Sequence, residues 1–250
     1  MSNSYELEVG EIINLSPTAK ALRYFLKESV PFQPGQFFIV EFLLKRENGF
    51  YIRDNKLEIQ KRAFSISSSP TSPYLEITVK KTSSPFVSDY LVSYLKKGER
   101  AVFTGPYGHF IFNPEQTNKS MLLLAAGSGI APLMSILRYV NEKKLRVKIH
   151  LIYSNKTERE ILWREEIEDI AKKNKNMTYT FTLTQDNINL TWQEERGRIN
   201  KNMIHKIISD WEKENIDCYI CGPLEFTREM EKALEENGIP NNSIKHEIYE

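Results

Sequence analysis

The sequence predicts an N-terminal antiparallel β-barrel followed by a C-terminal α/β domain built on a doubly wound parallel sheet. Three observations lead there. Short β-rich runs separated by turn signals fill the chain as far as Asn113-Pro114. Strand-like and helix-like runs alternate after it. Between them lies Met121-Leu122-Leu123-Leu124-Ala125-Ala126, an apolar run that opens into Gly127-Ser128-Gly129-Ile130-Ala131-Pro132. A strand covered on both faces has no reason to alternate, and this one does not. The division falls at residues 1–114 and 115–250.

In the first part the candidate strands are 5–15, 21–27, 37–44, 63–67, 74–80 and 101–104. Pro34-Gly35, Asn48-Gly49, Ser69-Pro70 and Lys97-Gly98 supply turns. Val87, Leu91 and Leu95 share one face of a helix over 86–95. Residues 45–61 read as a charged, exposed insert between two strands. In the second part strands at 121–126, 147–153, 178–183 and 217–221 alternate with helices at 131–143, 160–174, 201–212 and 225–237. Gly238 stands just past the last helix, where a left-handed residue ends it.

Composition narrows the function. Lys and Arg total 34 against 33 Asp and Glu, so nothing pulls the chain toward nucleic acid or an anionic membrane. The longest apolar stretch is broken by glycine and proline and falls short of the roughly 20 residues of a membrane span. The N-terminus lacks the basic and apolar regions of a signal peptide, so a cytoplasmic protein is expected. Cys218 and Cys221 are the two cysteines. Their C-x-x-C spacing suggests a redox dithiol, but on a strand residues three apart point to opposite faces and cannot bridge. The four histidines, 109, 150, 205 and 246, are scattered, and no metal site is expected.

The glycine turn after a buried strand suits a phosphate. Gly127 and Gly129 permit positive φ and close approach, Pro132 fits a first helical turn, and free N–H groups at a helix start attract anions. Arg62-Ala63-Phe64-Ser65 adds a second pattern. An arginine can fork onto a phosphate, an aromatic ring can stack, and a hydroxyl can hydrogen-bond a ring nitrogen.

These motifs resemble the R-x-[YF]-S and G-x-G-x-x-P signatures of the ferredoxin–NADP reductase-like flavoproteins. Gly105-Pro106-Tyr107-Gly108-His109-Phe110 is similar to the family's G-P-x-G-x-F turn. Tyr153-Ser154-Asn155-Lys156-Thr157 resembles Y-x-N-R-T, and Gly197-Arg198-Ile199 follows the third strand. Cys221-Gly222-Pro223 matches C-G-P, and Glu247-Ile248-Tyr249 resembles the E-x-F ending. Ser84-Pro85-Phe86-Val87-Ser88 stands at the second phosphate turn, where an ordinary helix cap is the alternative.

The resemblance implies an FAD-binding barrel at 1–114, an NAD(P)-binding domain at 115–250, and an NAD(P)H-dependent flavoprotein reductase. FAD would be the cofactor, with FMN the alternative, since Ser84 and Pro85 replace glycines. NADH or NADPH would be co-substrate. Asp186 in Thr184-Gln185-Asp186 disfavours a 2′-phosphate, although Lys156 and Arg159 could supply charge. Flavin contacts would come from Arg62, Ala63, Phe64, Ser65, Pro85, Phe86, Val87, Ser88 and Tyr249. Nucleotide contacts would come from Gly127, Ser128, Gly129, Pro132, Asn155, Lys156, Thr157, Gly222 and Pro223. Ser65 would orient the flavin nitrogen, Cys221 pack beside the nicotinamide, Glu247 assist through polar contact or proton relay, and Tyr249 cover the flavin face. Electrons would pass to a separate acceptor such as ferredoxin, flavodoxin or an oxygenase component. A basic rim of Lys45, Arg46, Arg53, Lys56 and Lys61 would suit an acidic one. A free-flavin or quinone reductase, or a flavin-binding electron-transfer subunit, are the alternatives. The dihydroorotate dehydrogenase electron-transfer subunit carries a cysteine cluster that this chain lacks. No cysteine-rich extension follows Glu250, so no [2Fe–2S] domain is expected.

Overall fold

The computed structural model describes residues 3–44, 58–82, 86–115, 120–185 and 191–249. In the N-terminal lobe the strands are β1 (Asn3–Ser16), β2 (Ala19–Phe25), β3 (Phe37–Leu44), β4 (Glu58–Ser65), β5 (Tyr74–Lys80) and β6 (Arg100–Tyr107), with helix α1 (Phe86–Ser93) before β6. They form an antiparallel sheet in the order β4-β3-β6-β1-β2-β5. A bridge between Ile66 and Ile77 brings the end of β4 back to β5 and curls the sheet toward closure. Leu22, Phe38, Val40, Ile66, Leu75, Ile77 and Phe103 fill the interior. Ile59 to Lys61 belong to β4, so the end of the expected insert is paired strand. There Lys61 meets Glu41 across β3 at 2.6 Å. Lys45, Arg46, Arg53 and Lys56 of the expected basic rim lie outside the described residues.

The second lobe holds β7 (Ser120–Ala126), α2 (Ile130–Glu142), β8 (Lys148–Asn155), α3 (Arg164–Lys173), β9 (Met177–Leu183), β10 (Glu195–Arg196), α4 (Lys201–Ile208), β11 (Ile216–Pro223), α5 (Leu224–Glu235) and β12 (Ile244–Tyr249). The sheet is parallel, in the order β10-β9-β8-β7-β11-β12. Strand order reverses between β7 and β11, which opens a crevice beyond their carboxyl ends.

Both faces of this sheet are apolar. Met121, Leu123 and Ala125 look one way, toward α2, and Leu122 and Leu124 look the other, toward α4 and α5. The same alternation places Cys221 in the first cluster and Cys218 in the second, so both stay free and buried. Burial raises both thiols above their ordinary range.

Two helices differ by a full turn at one end, while α1, α2 and α5 depart from expectation by one or two residues. Helix α3 begins at Arg164 rather than 160, because Trp163 sits at φ 58° and a separate 3₁₀ turn spans Glu158–Glu160. Helix α4 ends at Ile208 rather than 212, where Lys213 Nζ bonds the Ile208 carbonyl, a cation on a helix C-terminus. The strands β10 and β12 have no counterpart in the sequence reading. Among the described residues no helix is long and apolar enough to cross a membrane.

The lobes share apolar packing. Ala19, Ala21, Phe110 and Phe112 belong to the same cluster as Leu133, Trp163 and Tyr219. The side of β5 turned away from the barrel interior is buried too, and it is polar: Glu76 and Thr78 reach Arg138 and Trp163.

Neither thiol of the folded protein should react with an aromatic disulfide reagent, and both should react after denaturation. A titratable thiol in the native state would show that a cysteine is open to solvent.

Candidate functional site

The crevice at the strand-order reversal holds a pocket of about 450 Å³. Its floor is the turn after β7. Gly127 has φ +54°, and Gly129 lies so close to β11 that an added β carbon would stand 2.1 Å from the Cys221 carbonyl oxygen. Only glycine permits that approach. Tyr153 Oη donates to the Gly127 carbonyl at 2.8 Å and fixes the turn from below. Residues 127–129 form a 3₁₀ turn that runs into α2, with Pro132 buried in its first turn. The arrangement leaves N–H groups of a thirteen-residue helix facing the crevice.

Of the residues singled out in the sequence, Gly127, Ser128, Asn155, Lys156, Pro223 and Tyr249 line this pocket. Asn155 is 4% exposed, and neither its amide nitrogen nor its oxygen has a hydrogen-bond partner among the described residues. A buried carboxamide left unpaired costs stability unless a ligand satisfies it. Gly129, Pro132 and Gly222 shape the pocket from behind. Thr157 is turned to Glu160, 3.4 Å away.

A second cluster joins the lobes at one end of the pocket. Tyr249 Oη donates to Ser65 Oγ at 2.5 Å, and Ser65 Oγ donates to Glu247 Oε2 at 2.7 Å. Parallel pairing of β11 with β12 sets Cys221 opposite Glu247 and Pro223 opposite Tyr249. All four residues expected to carry the chemistry therefore meet. Burial raises the Glu247 carboxyl, and the Ser65 hydroxyl offsets this in part. Burial, Cys221 and Glu247 push the Tyr249 phenol far up. Burial and Glu247 do the same to the Cys221 thiol. The cluster favours neutral groups.

The remaining barrel residues lie apart from this hydrogen-bonded cluster. Arg62 is exposed and donates to the Lys61 carbonyl at 2.7 Å. Ala63 is exposed, and Phe64 packs edge-on to Phe42 with ring centres 5.9 Å apart. Val87 is buried in the barrel cluster with Phe86 against it. Ser88 Oγ accepts from the Thr82 amide at 3.2 Å. Pro85, with Asp186 of the coenzyme argument, lies outside the described residues.

The pocket also contains residues the sequence did not mark. Lys80 and Thr82 come from the barrel lobe, and Lys80 Nζ stands 3.4 Å from Glu160 of the other lobe. Glu225, Phe226 and Glu229 join them in the wall, beside Thr184 and Arg198 of segments the sequence had marked. Arg198 Nη1 lies 3.5 Å from Glu229 and 3.8 Å from Glu225. Lys80 ends a strand with nothing beside it to signal a ligand, and only the tertiary fold brings it over the glycine turn.

The chain is similar to several known proteins. Residues 123–232 match the family model described as the oxidoreductase NAD-binding domain. The chain is 29% identical to flavohemoprotein B of Dictyostelium discoideum over 98% of its own length and 59% of that protein. It is 28% identical to the glycine betaine monooxygenase reductase subunit of Chromohalobacter salexigens over 87% of its length and 56% of that protein. It thus spans a little over half of these curated relatives. The flavohem-like FAD/NAD-binding domain of nitric oxide dioxygenase from Vibrio cholerae O1 biovar El Tor superposes with a TM-score of 0.80, covering 98% of both chains at 20% identity. The fold is a two-lobed architecture, an antiparallel barrel-like sheet beside a parallel α/β sheet. Residues 123–232 carry the match to the oxidoreductase NAD-binding domain, and over nearly its whole length the chain has the fold of the FAD/NAD-binding domain on which it superposes.

Because the folded Glu247 carboxyl titrates above the unfolded one, its stabilising contribution is full below the ordinary carboxylate range. It is lost as pH rises through the folded value. Glu247→Gln, which never ionises, should gain thermal stability over the parent as pH rises from about 4 to about 8. Melting curves that stay parallel across that span would show an unperturbed carboxyl.

Proposed function

We propose that the chain is an FAD-dependent NAD(P)H oxidoreductase that passes electrons from a nicotinamide nucleotide to a separate acceptor, such as a ferredoxin, a flavodoxin or an oxygenase component. One observation carries the reading: Ser65 of the barrel motif is hydrogen-bonded to Glu247 and Tyr249 of the other lobe, at the end of a glycine-floored crevice. The residues present fit both groups. The unpaired Asn155 carboxamide and the Gly127–Gly129 turn suit a nucleotide. Arg62, exposed and without a carboxylate partner among the described residues, suits a flavin phosphate. FAD, when bound, supplies the step from two-electron to one-electron chemistry.

The chain's own residues do the rest. Ser65 offers a hydroxyl that can turn from Glu247 to a flavin nitrogen. Glu247, raised by burial, can hold a proton beside it. Cys221, kept as a thiol, gives an apolar, polarisable surface rather than a nucleophile. Tyr249 bonds to Ser65 and lines the pocket, so a nicotinamide ring entering beside Cys221 must displace its side chain. Lys80, Lys156 and the helix start supply positive potential for the phosphates.

NADH is the favoured coenzyme. Arg198, a cation at the rim, is already paired with Glu225 and Glu229, and those carboxylates would repel a 2′-phosphate. The free thiols suit a reducing cytoplasm.

Purified protein should release FAD, and anaerobic NADH should bleach the flavin band faster than NADPH. Absence of flavin, or a flavin that neither nucleotide bleaches, would overturn the reading. Tyr249→Ser should tighten NAD⁺ binding roughly tenfold, the scale of one hydrogen bond no longer broken on entry. Unchanged affinity by fluorescence titration would remove Tyr249 from this role.

A further inference from the structure

Glu76 on β5 is fully buried, and its carboxylate is shared between two guanidinium groups. Arg138 Nη1 of α2 lies 2.5 Å from Oε1, and Arg23 Nε of β2 lies 2.8 Å from Oε2. Ser67 Oγ also donates to Oε1, at 2.8 Å. Arg138 spends its other nitrogens on Glu166 of α3, with Nε–Oε1 at 2.6 Å and Nη2–Oε2 at 2.7 Å. Its guanidinium stands 4.4 Å over the Trp163 ring. Arg23 continues the row to Glu11, 3.0 Å away. Burial works against the Arg138 charge, but Glu166 and Glu76 outweigh it and hold the guanidinium firmly protonated. The row of alternating charges crosses from one lobe to the other.

An apolar interface of the same volume would hold the lobes as strongly, since buried ion pairs give little net stability. What charged forks add is direction. Apolar faces tolerate sliding, whereas a guanidinium bonded on both edges has one seat. The seat matters because of what lies along the chain on each side. Arg138 Nη1 also donates to the Ser67 carbonyl at 2.7 Å, two residues past Ser65. One turn earlier on α2, Ser135 Oγ donates to the Ser68 carbonyl at 2.6 Å. The same helix begins at the Gly127–Gly129 turn. Helix α2 thus touches the nucleotide crevice at its start and the continuation of the Ser65 strand farther along.

We propose that Arg138 and Ser135 are positioning residues that lock α2 onto residues 67–68 and thereby set the registration of the nucleotide turn against the Ser65–Glu247–Tyr249 cluster. The role rests on the hydride-transfer reading above. Because a donor and acceptor in different lobes must be aligned closely, a small slip lowers the transfer rate without removing a ligand contact.

The test uses Ser135→Ala and Arg138→Lys in the flavin-loaded protein. Flavin content and NADH affinity should stay near the parent values. The anaerobic rate constant of flavin reduction should fall by about tenfold or more, and the long-wavelength charge-transfer absorbance on adding NADH should weaken. Amide hydrogen exchange should quicken only at 66–80 and 130–140. Reduction within about twofold of the parent in both variants overturns the role. So does a loss of flavin and NADH affinity together with exchange spread through the barrel, which marks plain structural support. If Arg138→Lys does not fold, Ser135→Ala decides alone. If the parent itself is not reduced by NADH or NADPH, the functional reading fails, and exchange decides whether the lock exists: changes confined to the two segments support it, and diffuse changes refute it.

Discussion

The contact between the turn at Gly129 and the end of β11 is the constraint from which the site follows. A side chain there would collide with the Cys221 and Gly222 backbone, so α2 starts where it does because that position is bare. Seated this deeply, the turn borders the same crevice as the end of β11. Strand β12 then runs beside β11 in parallel register and carries Glu247 and Tyr249 to the same end. Ser65 reaches both from the opposite lobe. Each step depends on the one before it, and a turn lifted off β11 would disturb them all.

The site has two electrical characters. Around Cys221, Glu247 and Tyr249, burial drives every titratable group toward its uncharged form. Along the rim stand the basic side chains of Lys80, half-buried, and of Lys156 and Arg198, both exposed. A dinucleotide has the matching polarity, with an aromatic ring at one end and phosphates in its middle. On the proposed reading the neutral end would withhold a nucleophile from the ring while keeping donors and acceptors within reach of it, and the wet end would hold the anion.

Much of this was legible in the sequence because it is local. The apolar run into Gly127 and Gly129 became β7, a turn and α2. Period-two alternation put Cys218 and Cys221 on opposite faces and ruled out their bridge. Arg62 to Ser65 and Cys221 to Pro223 were readable only as a resemblance, since neither segment alone shows what it faces. What escaped has a common cause. Strand β12 is short and mixes polar with apolar residues on both faces, and it is a strand only because β11 offers an edge. Trp163 in a left-handed conformation stops α3 from starting early, and no propensity of tryptophan predicts it. Glu76 and Arg138 are 62 residues apart and look like ordinary surface charges until the lobes close over them.

The change in sequence character at Asn113-Pro114 has a different meaning in three dimensions. Phe110, Phe112, Ala19 and Ala21 are packed into the cluster that lies under the parallel sheet. Lys245 and Tyr219 both bond the Ile111 carbonyl. The second lobe therefore borrows part of its hydrophobic interior from residues that precede it, and the barrel gives up part of its exterior to supply it. Cutting the chain at the compositional seam would leave two halves with matching apolar wounds. The covalent order is modular, but the cooperative unit of folding is the pair.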